Sequence, residues 1–218
     1  MTTKRFLLIA FLCSFMVNHL FASNVKLDSL KKEFLASTQQ QKKIKILNEL
    51  ALYYMERYPE KGYRHSTQTL RLSQLLNLKG EKASALYNIG VYYYYKGDYN
   101  KAISFLDKAL KIDEEIEYIK GIAAVNNVLG IIYLNLGRYK NSLSHFHTSL
   151  KISYELNDRN IAAYITNNIG MIFQKLNNYQ KSLSYFKKTI QLLEEGLADD
   201  KYRYSRYLSN IGITYFYL

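Results

Sequence analysis

Cysteine is nearly missing from this chain: Cys13 is the single one in 218 residues, and it stands ahead of the body of the sequence. A disulfide framework, a CxxC zinc site and a thiol nucleophile in that body are thereby excluded. Proline is equally scarce, with Pro59 alone, and ten glycines complete the punctuation. The strands of a sandwich or barrel need a turn every ~8 to 12 residues, so an all-β fold is excluded as well. Tryptophan does not occur, and no apolar run reaches the ~20 residues a helix needs to cross a bilayer.

What remains reads as long helices. Hydrophobic residues make up 48% and charged residues 22% of the chain, which excludes wholesale disorder and collagen-like structure. Lysine and arginine number 30 against 18 aspartate and glutamate, a net charge of +12. Such an excess often accompanies nucleic acid or anionic lipid. Here Lys31, Lys32, Lys42, Lys43, Lys108, Lys140, Lys187 and Lys188 are spread in ones and twos and no arginine-rich tract occurs. That is the pattern of a solvated basic surface, and no nucleic-acid partner is expected.

At the amino terminus Lys4 and Arg5 precede an apolar run from Phe6 to Val17, broken only by Ser14, with small residues at Ala22 and Ser23. Charge, short apolar run and small residues in that order read as a signal peptide over residues 1–22, removed near Ala22. The mature chain is therefore expected in the periplasm or cell envelope, with no membrane span. Phe11 and Leu12 before Cys13 exclude a lipoprotein signal.

The strongest pattern is internal. Tyr87-Asn88-Ile89-Gly90, Asn127-Val128-Leu129-Gly130, Asn167-Asn168-Ile169-Gly170 and Ser209-Asn210-Ile211-Gly212 fall in register, their glycines 40, 40 and 42 residues apart. An aromatic follows three residues later at Tyr93, Tyr133, Phe173 and Tyr215. Small residues then recur at Ala102, Ser142 and Ser182 and at Ala109, Ser149 and Thr189, with Leu106, Phe146 or Phe186 between them. The spacing of Leu86, Ile89 and Tyr93, and of Ala102, Leu106 and Ala109, is helical. Lys96-Gly97-Asp98 and Leu136-Gly137-Arg138 supply stops between the helices. A glycine inside a helix costs about 1 kcal/mol, so its recurrence points to close helix approach. A self-similar period of this length is the signature of a solenoid.

These positions resemble the tetratricopeptide repeat, in the long-repeat form of about 40 residues. The resemblance implies an all-α, right-handed superhelical solenoid of antiparallel helix pairs. Units are expected near 43–80, 81–120, 121–160 and 161–201, with an incomplete unit at 202–218. In the first, Ala51 takes the glycine position and Pro59-Glu60-Lys61-Gly62 an interhelical turn, and the unit looks shortened. Residues 23–42 form a capping segment in which Leu27, Leu30, Phe34 and Leu35 suggest an amphipathic helix. Thr38 and Gln41 suggest a capping box for the helix that follows. At the carboxyl end, Tyr207, Leu208, Ile211, Gly212 and Tyr215 begin a unit that stops at Leu218, so a continuation of the chain, self-association or a covering partner is expected.

No catalytic constellation is apparent, and the chain is not read as an enzyme; no cofactor or metal is expected. His145 and His147 are two apart on a helix and face different ways, and His65 stands alone. Function then belongs to a surface. The family's groove positions fall on Tyr87, Val91 and Tyr94, then Asn127, Ile131 and Leu134, then Tyr164, Asn167, Met171 and Gln174, with Arg206, Ser209 and Ile213 continuing the row. This aromatic and amide surface suits protein or peptide ligands, although the asparagines could equally bond neighbouring helices. The architecture is similar to the extracytoplasmic sensor part of bacterial histidine kinases or helix-turn-helix regulators. Alternatives are a free-standing envelope scaffold or a cytoplasmic peptide-responsive regulator.

Overall fold

The structure is a computed structural model that describes residues 27–55, 57–195 and 201–218. The expected leader, residues 1–22, lies outside the described residues. Ten helices follow one another among these residues: α1 (27–36), α2 (Gln40–Met55), α3 (Pro59–Leu75), α4 (Lys79–Tyr95), α5 (Tyr99–Glu115), α6 (Ile119–Asn135), α7 (Tyr139–Glu155), α8 (Arg159–Lys175), α9 (Tyr179–Glu195) and α10 (Lys201–Phe216). From α3 to α9 every helix has 17 residues. Three residues separate each from the next. The repeat seen in the sequence is thus two helix-and-loop halves. Linkers this short force neighbouring helices to run antiparallel.

Each loop closes the helix before it in the same way. The middle residue is left-handed at Asn77, Gly97, Glu117, Gly137, Asn157 and Asn177, with φ from 52 to 75°. The residue after it donates back to the helix, as in Asp98 N–H to Tyr93 C=O at 3.0 Å and Tyr118 N–H to Asp113 C=O at 2.8 Å. This is the Schellman arrangement, which satisfies carbonyls the helix end would leave bare. The same loop residue can then cap the next helix: the Asp98, Asp158 and Asn178 side chains accept from the N–H of Lys101, Ile161 and Lys181. Asparagine and glycine adopt the left-handed conformation at little cost, whereas a glutamate there, Glu117, is strained. Glu117→Gly should therefore raise stability by about 1 kcal/mol, and Gly97→Ala lower it by a similar amount, both readable by urea denaturation.

The chain forms two compact units, one ending at Tyr92 and the other beginning at Tyr93. In the first, α1 packs on α2 through Leu30, Ile46, Leu50 and Tyr54, with Leu27 and Phe34 at the margin. The expected cap helix is present, though Leu35 is 81% exposed and takes no part. The Thr38 capping box does not form, since α2 begins at Gln40 and no side-chain bond from Thr38 reaches its first turn. Pro59-Glu60-Lys61-Gly62 is not a turn either: it is the first turn of α3, where proline at the start is pre-organised and loses no hydrogen bond. Gly62 is the small residue of this helix pair. A Cβ there would lie 2.9 Å from the Ala51 carbonyl oxygen and 3.1 Å from Met55 Cα. Ala51 is fully buried, as its assignment to the glycine position requires.

In the second unit consecutive helices pack in series from α5 to α10. Phe146 and Phe186, both fully buried, lie over Gly130 and Gly170. Where alanine is replaced by serine the hydroxyl is used across the pair: Ser142 donates to Gly130 C=O at 2.7 Å, Ser182 to Gly170 C=O at 2.9 Å and Ser149 to Ala123 C=O at 2.8 Å. These bonds replace a methyl contact with a directional one in a site that excludes water. The core joins Ile165, Ile169 and Ile172 of α8 to Leu192 and Leu193 of α9 and Tyr207 of α10.

Candidate peptide-binding face

The second unit has two kinds of helix. The A helices α6, α8 and α10 touch one another in sequence, whereas among the described residues the B helices α5, α7 and α9 do not. A stack of helix pairs bends toward the side on which successive pairs approach most closely, so α6, α8 and α10 form the inner face of this unit.

An aromatic stack ties the two helix types together in every pair. Tyr54 lies on His65 (5.5 Å), Tyr93 on Phe105 (5.6 Å), Tyr133 on His145 (5.3 Å) and Phe173 on Tyr185 (5.3 Å), with ring planes within 14°. A lysine one turn into the B helix covers three of these stacks: Lys61 over Tyr54 (5.6 Å), Lys101 over Tyr93 (5.2 Å) and Lys181 over Phe173 (4.3 Å). The ring faces are electron-rich, which gives the lysines a structural task.

The run Tyr92 to Tyr95 points around a helical turn, so each ring meets different surroundings. Tyr92 is buried in the first unit, stacked on Tyr63 at 4.4 Å and donating to the Glu60 carboxylate at 3.0 Å. Tyr93 joins its stack, and Tyr95 is 52% exposed. Tyr94 is half-buried, 5.4 Å from the Tyr95 ring and 6.2 Å from Tyr99. Burial pushes its hydroxyl above the usual tyrosine range; a hydrogen bond from Asn135 opposes the shift, and neighbouring Tyr164 and Tyr99 add to it. Tyr94 of α4 is thereby brought together with Asn135 of α6 and Tyr164 of α8.

The other groove positions are placed as follows. Tyr87 and Val91 belong to the first unit and are half-buried there. Asn127, Ile131, Leu134, Tyr164, Met171 and Gln174 are half-buried on α6 and α8, and Arg206, Ser209 and Ile213 are exposed on α10. Asn167 is 2% exposed and committed to its neighbours: Asn210 donates to its Oδ1 at 2.8 Å, and its amide lies 3.6 Å from Met171 Sδ. Gln174 likewise donates to Thr214 at 3.2 Å. These two bonds stitch α8 to α10. Asn127 Oδ1 accepts no hydrogen bond among the described residues. Asn135 and Tyr99 are not among the groove positions read from the sequence; the series 127, 131, 135 along one helix face points to the first.

Elsewhere, His145 is half-buried and its Nδ1 lies 2.9 Å from Asn126 Oδ1; burial lowers its basicity, while Asp107 opposes the shift. His147 is exposed. Asp113 is 3% exposed, and burial pushes its carboxyl up to about 6. Among the described residues no group of three or more histidine, cysteine, aspartate or glutamate side chains could hold a metal ion. Nor is any helix among them long and apolar enough to cross a membrane.

Helix pairs of this length, closed by small residues and stacked in series, define an α-helical repeat array. The tetratricopeptide repeat profile matches residues 83–116 and, in two overlapping stretches, 121–195 and 161–218. The chain belongs to the tetratricopeptide repeat family, whose helix pairs are a scaffold for binding proteins and peptides. A search of curated proteins finds no match to the chain. Among solved structures it is similar to BtubC from P. vanneervenii, at 17% identity and TM-score 0.74, over 90% of this chain and 84% of that one. It is also similar to a Signal Transduction ATPase with Numerous Domains, carrying a tetratricopeptide repeat sensor, from Pyrococcus horikoshii: 22% identity, TM-score 0.71, 87% of this chain and 29% of that one. A third is NprR in complex with its cognate peptide NprX, at 18% identity and TM-score 0.65, over 88% of this chain and 55% of that one. The chain thus spans most of BtubC but little more than half, or less, of the other two.

Proposed function

We propose that this protein is an exported, non-catalytic module that binds a peptide or protein segment on the A-helix face of its second unit, as the sensor portion of a signalling protein. The observation that carries the reading is the cluster around Tyr94. There Tyr94 of α4 and Tyr99 of α5 lie with their rings 6.2 Å apart, Asn135 of α6 hydrogen-bonds the Tyr94 hydroxyl and Tyr164 of α8 is near enough to act on it; the three tyrosines are half-buried and Asn135 is exposed. Tyrosine offers large contact area at low entropic cost, and asparagine and glutamine can both donate to and accept from a peptide backbone. The likeness to a repeat sensor of a signal-transduction ATPase and to a peptide-bound regulator supports this reading. The amino-terminal sequence supports export.

The test begins with selection of short displayed peptides on the purified chain. Affinity of the selected peptides should fall about thirtyfold in Tyr94→Ala, the loss typical of a buried aromatic anchor, and by less in Tyr94→Phe. Lys140→Ala, on the outer helix α7, should leave it unchanged. Equal binding by all three, with circular dichroism intact, would remove the face from consideration. For export, mass spectrometry of protein from its host should find a mature start near Ser23 or Asn24; intact Met1 in the cytosol would contradict it.

A further inference from the structure

The charges of the second unit are sorted by helix type. The A helices α6, α8 and α10 contain no aspartate or glutamate, yet they carry Lys120, Arg159, Lys175, Lys201, Arg203 and Arg206. The acidic residues of the same stretch lie on the B helices, as Asp107, Asp113, Glu155 and Glu194, or in loops, as Asp98 and Asp158. Burial alone does not produce this pattern, because a face that merely excluded charge would exclude lysine and arginine too. Arg159 is held by Glu195, with 3.7 Å between Nε and Oε2. Lys120, Lys175 and Arg206 are exposed and have no carboxylate partner among the described residues.

Among these cations Arg206 is carried by α10, which contacts α8. It lies one turn before Asn210, which bonds Asn167 at 2.8 Å, and so stands level with the turn of α8 that carries Tyr164. Its guanidinium carbon lies 5.4 Å from the centre of the buried Tyr207 ring, and the residue is exposed. A ligand crossing from Tyr94 to α10 would therefore meet aromatic rings, then amides, then a guanidinium with no carboxylate partner among the described residues, and α6, α8 and α10 themselves carry no carboxylate to repel an anion.

We infer that the segment bound on this face is acidic: an extended peptide whose aspartate or glutamate side chains meet Arg206 and the flanking lysines while its neutral residues lie on the tyrosines. This rests on the peptide-binding reading above. Single-stranded nucleic acid is the weaker candidate, since a phosphate backbone calls for a continuous basic track, and here the free cations are few and set apart.

The experiment measures fluorescence anisotropy of the full chain with four labelled probes at physiological salt: alternating Glu-Tyr, Gln-Tyr and Lys-Tyr peptides, and oligothymidine. The Glu-Tyr peptide should bind best and lose about tenfold in Arg206→Gln, the scale of one charge-assisted hydrogen bond. Lys140→Gln should have little effect, and Tyr94→Ala should weaken the Glu-Tyr and Gln-Tyr peptides alike. Binding of Gln-Tyr as tightly as Glu-Tyr, sensitive to Tyr94→Ala, would overturn the acidic preference and leave the peptide face standing. Glu-Tyr binding that ignores both Tyr94→Ala and Arg206→Gln, or no peptide binding at all, would overturn both. Oligothymidine binding more tightly than any peptide would overturn the inference in favour of nucleic acid.

Discussion

Gly170→Ala is expected to destabilise the protein by about 2 kcal/mol, while Gly212→Ala, the same change at the same repeat position, is expected to stabilise it by about 1. In an open helix the added methyl helps, since alanine has the higher helix propensity by about 1 kcal/mol. Nothing lies within 4 Å of where a Cβ on Gly212 would be, so only that gain applies. At Gly170 the Cβ would fall 2.6 Å from Phe186 Cε1 and 2.7 Å from Cδ1, on a ring that is fully buried and cannot swing aside. Overpacking of this kind costs about 1 to 3 kcal/mol or more, which outweighs the propensity gain. The Ser182 hydroxyl bond to Gly170 C=O, 2.9 Å, holds the helices at that separation. Adding Phe186→Leu should recover most of the loss, because the repeat itself carries leucine there, at Leu106. Urea denaturation of the three variants measures the differences; equal effects at Gly170 and Gly212 would contradict the packing argument.

Asp113→Asn should stabilise the protein by about 2 to 3 kcal/mol near pH 8 and by almost nothing near pH 4. Asp113 holds the place that Ser153 holds one pair later, where the hydroxyl donates to Ser149 C=O at 2.8 Å. An ionised carboxylate has no proton to donate, and no hydrogen bond or ion pair to the Asp113 carboxyl is formed among the described residues. Gly121 makes the room: a Cβ there would overlap the Asp113 carboxyl. Burial raises its pKa from 3.8 to about 6. The native state therefore holds the proton more tightly than the unfolded chain. Stability is greatest below about pH 4, falls as pH rises through about 6, and stays low above that. Two units correspond to about 3 kcal/mol at most. An asparagine keeps the shape and supplies a donor at every pH. A parent protein whose stability is flat from pH 4 to 8 would show the carboxyl to be solvated.

The repeat was legible because its packing rule is local and repeated: only glycine fits beneath Phe146 and Phe186, so the glycine marks the helix pair wherever it recurs. The first pair was harder to read for the same reason. Its small residue had moved to the partner helix, as Gly62, and the four residues from Pro59 then resembled a turn. The aromatic stacks escaped notice because one partner is phenylalanine, histidine or tyrosine by turns; flatness is what the geometry requires, and several residue types provide it. Asn167 shows why amides on a face do not declare their role. Its partner, Asn210, is 43 residues away in sequence, and no local pattern could tell a bond between helices from one awaiting a ligand. The sorting of charge between A and B helices needed the helix bounds before it could be seen at all.

Hydrogen exchange on the chain, alone and with a selected peptide, tests the central claim most directly. Binding on the A-helix face predicts added protection at the end of α4 and along α6 and α8, around Tyr94, Asn127, Asn135 and Tyr164, with α7 and α9 unchanged. Protection confined to α7 and α9 would place the ligand on the B helices and contradict the account.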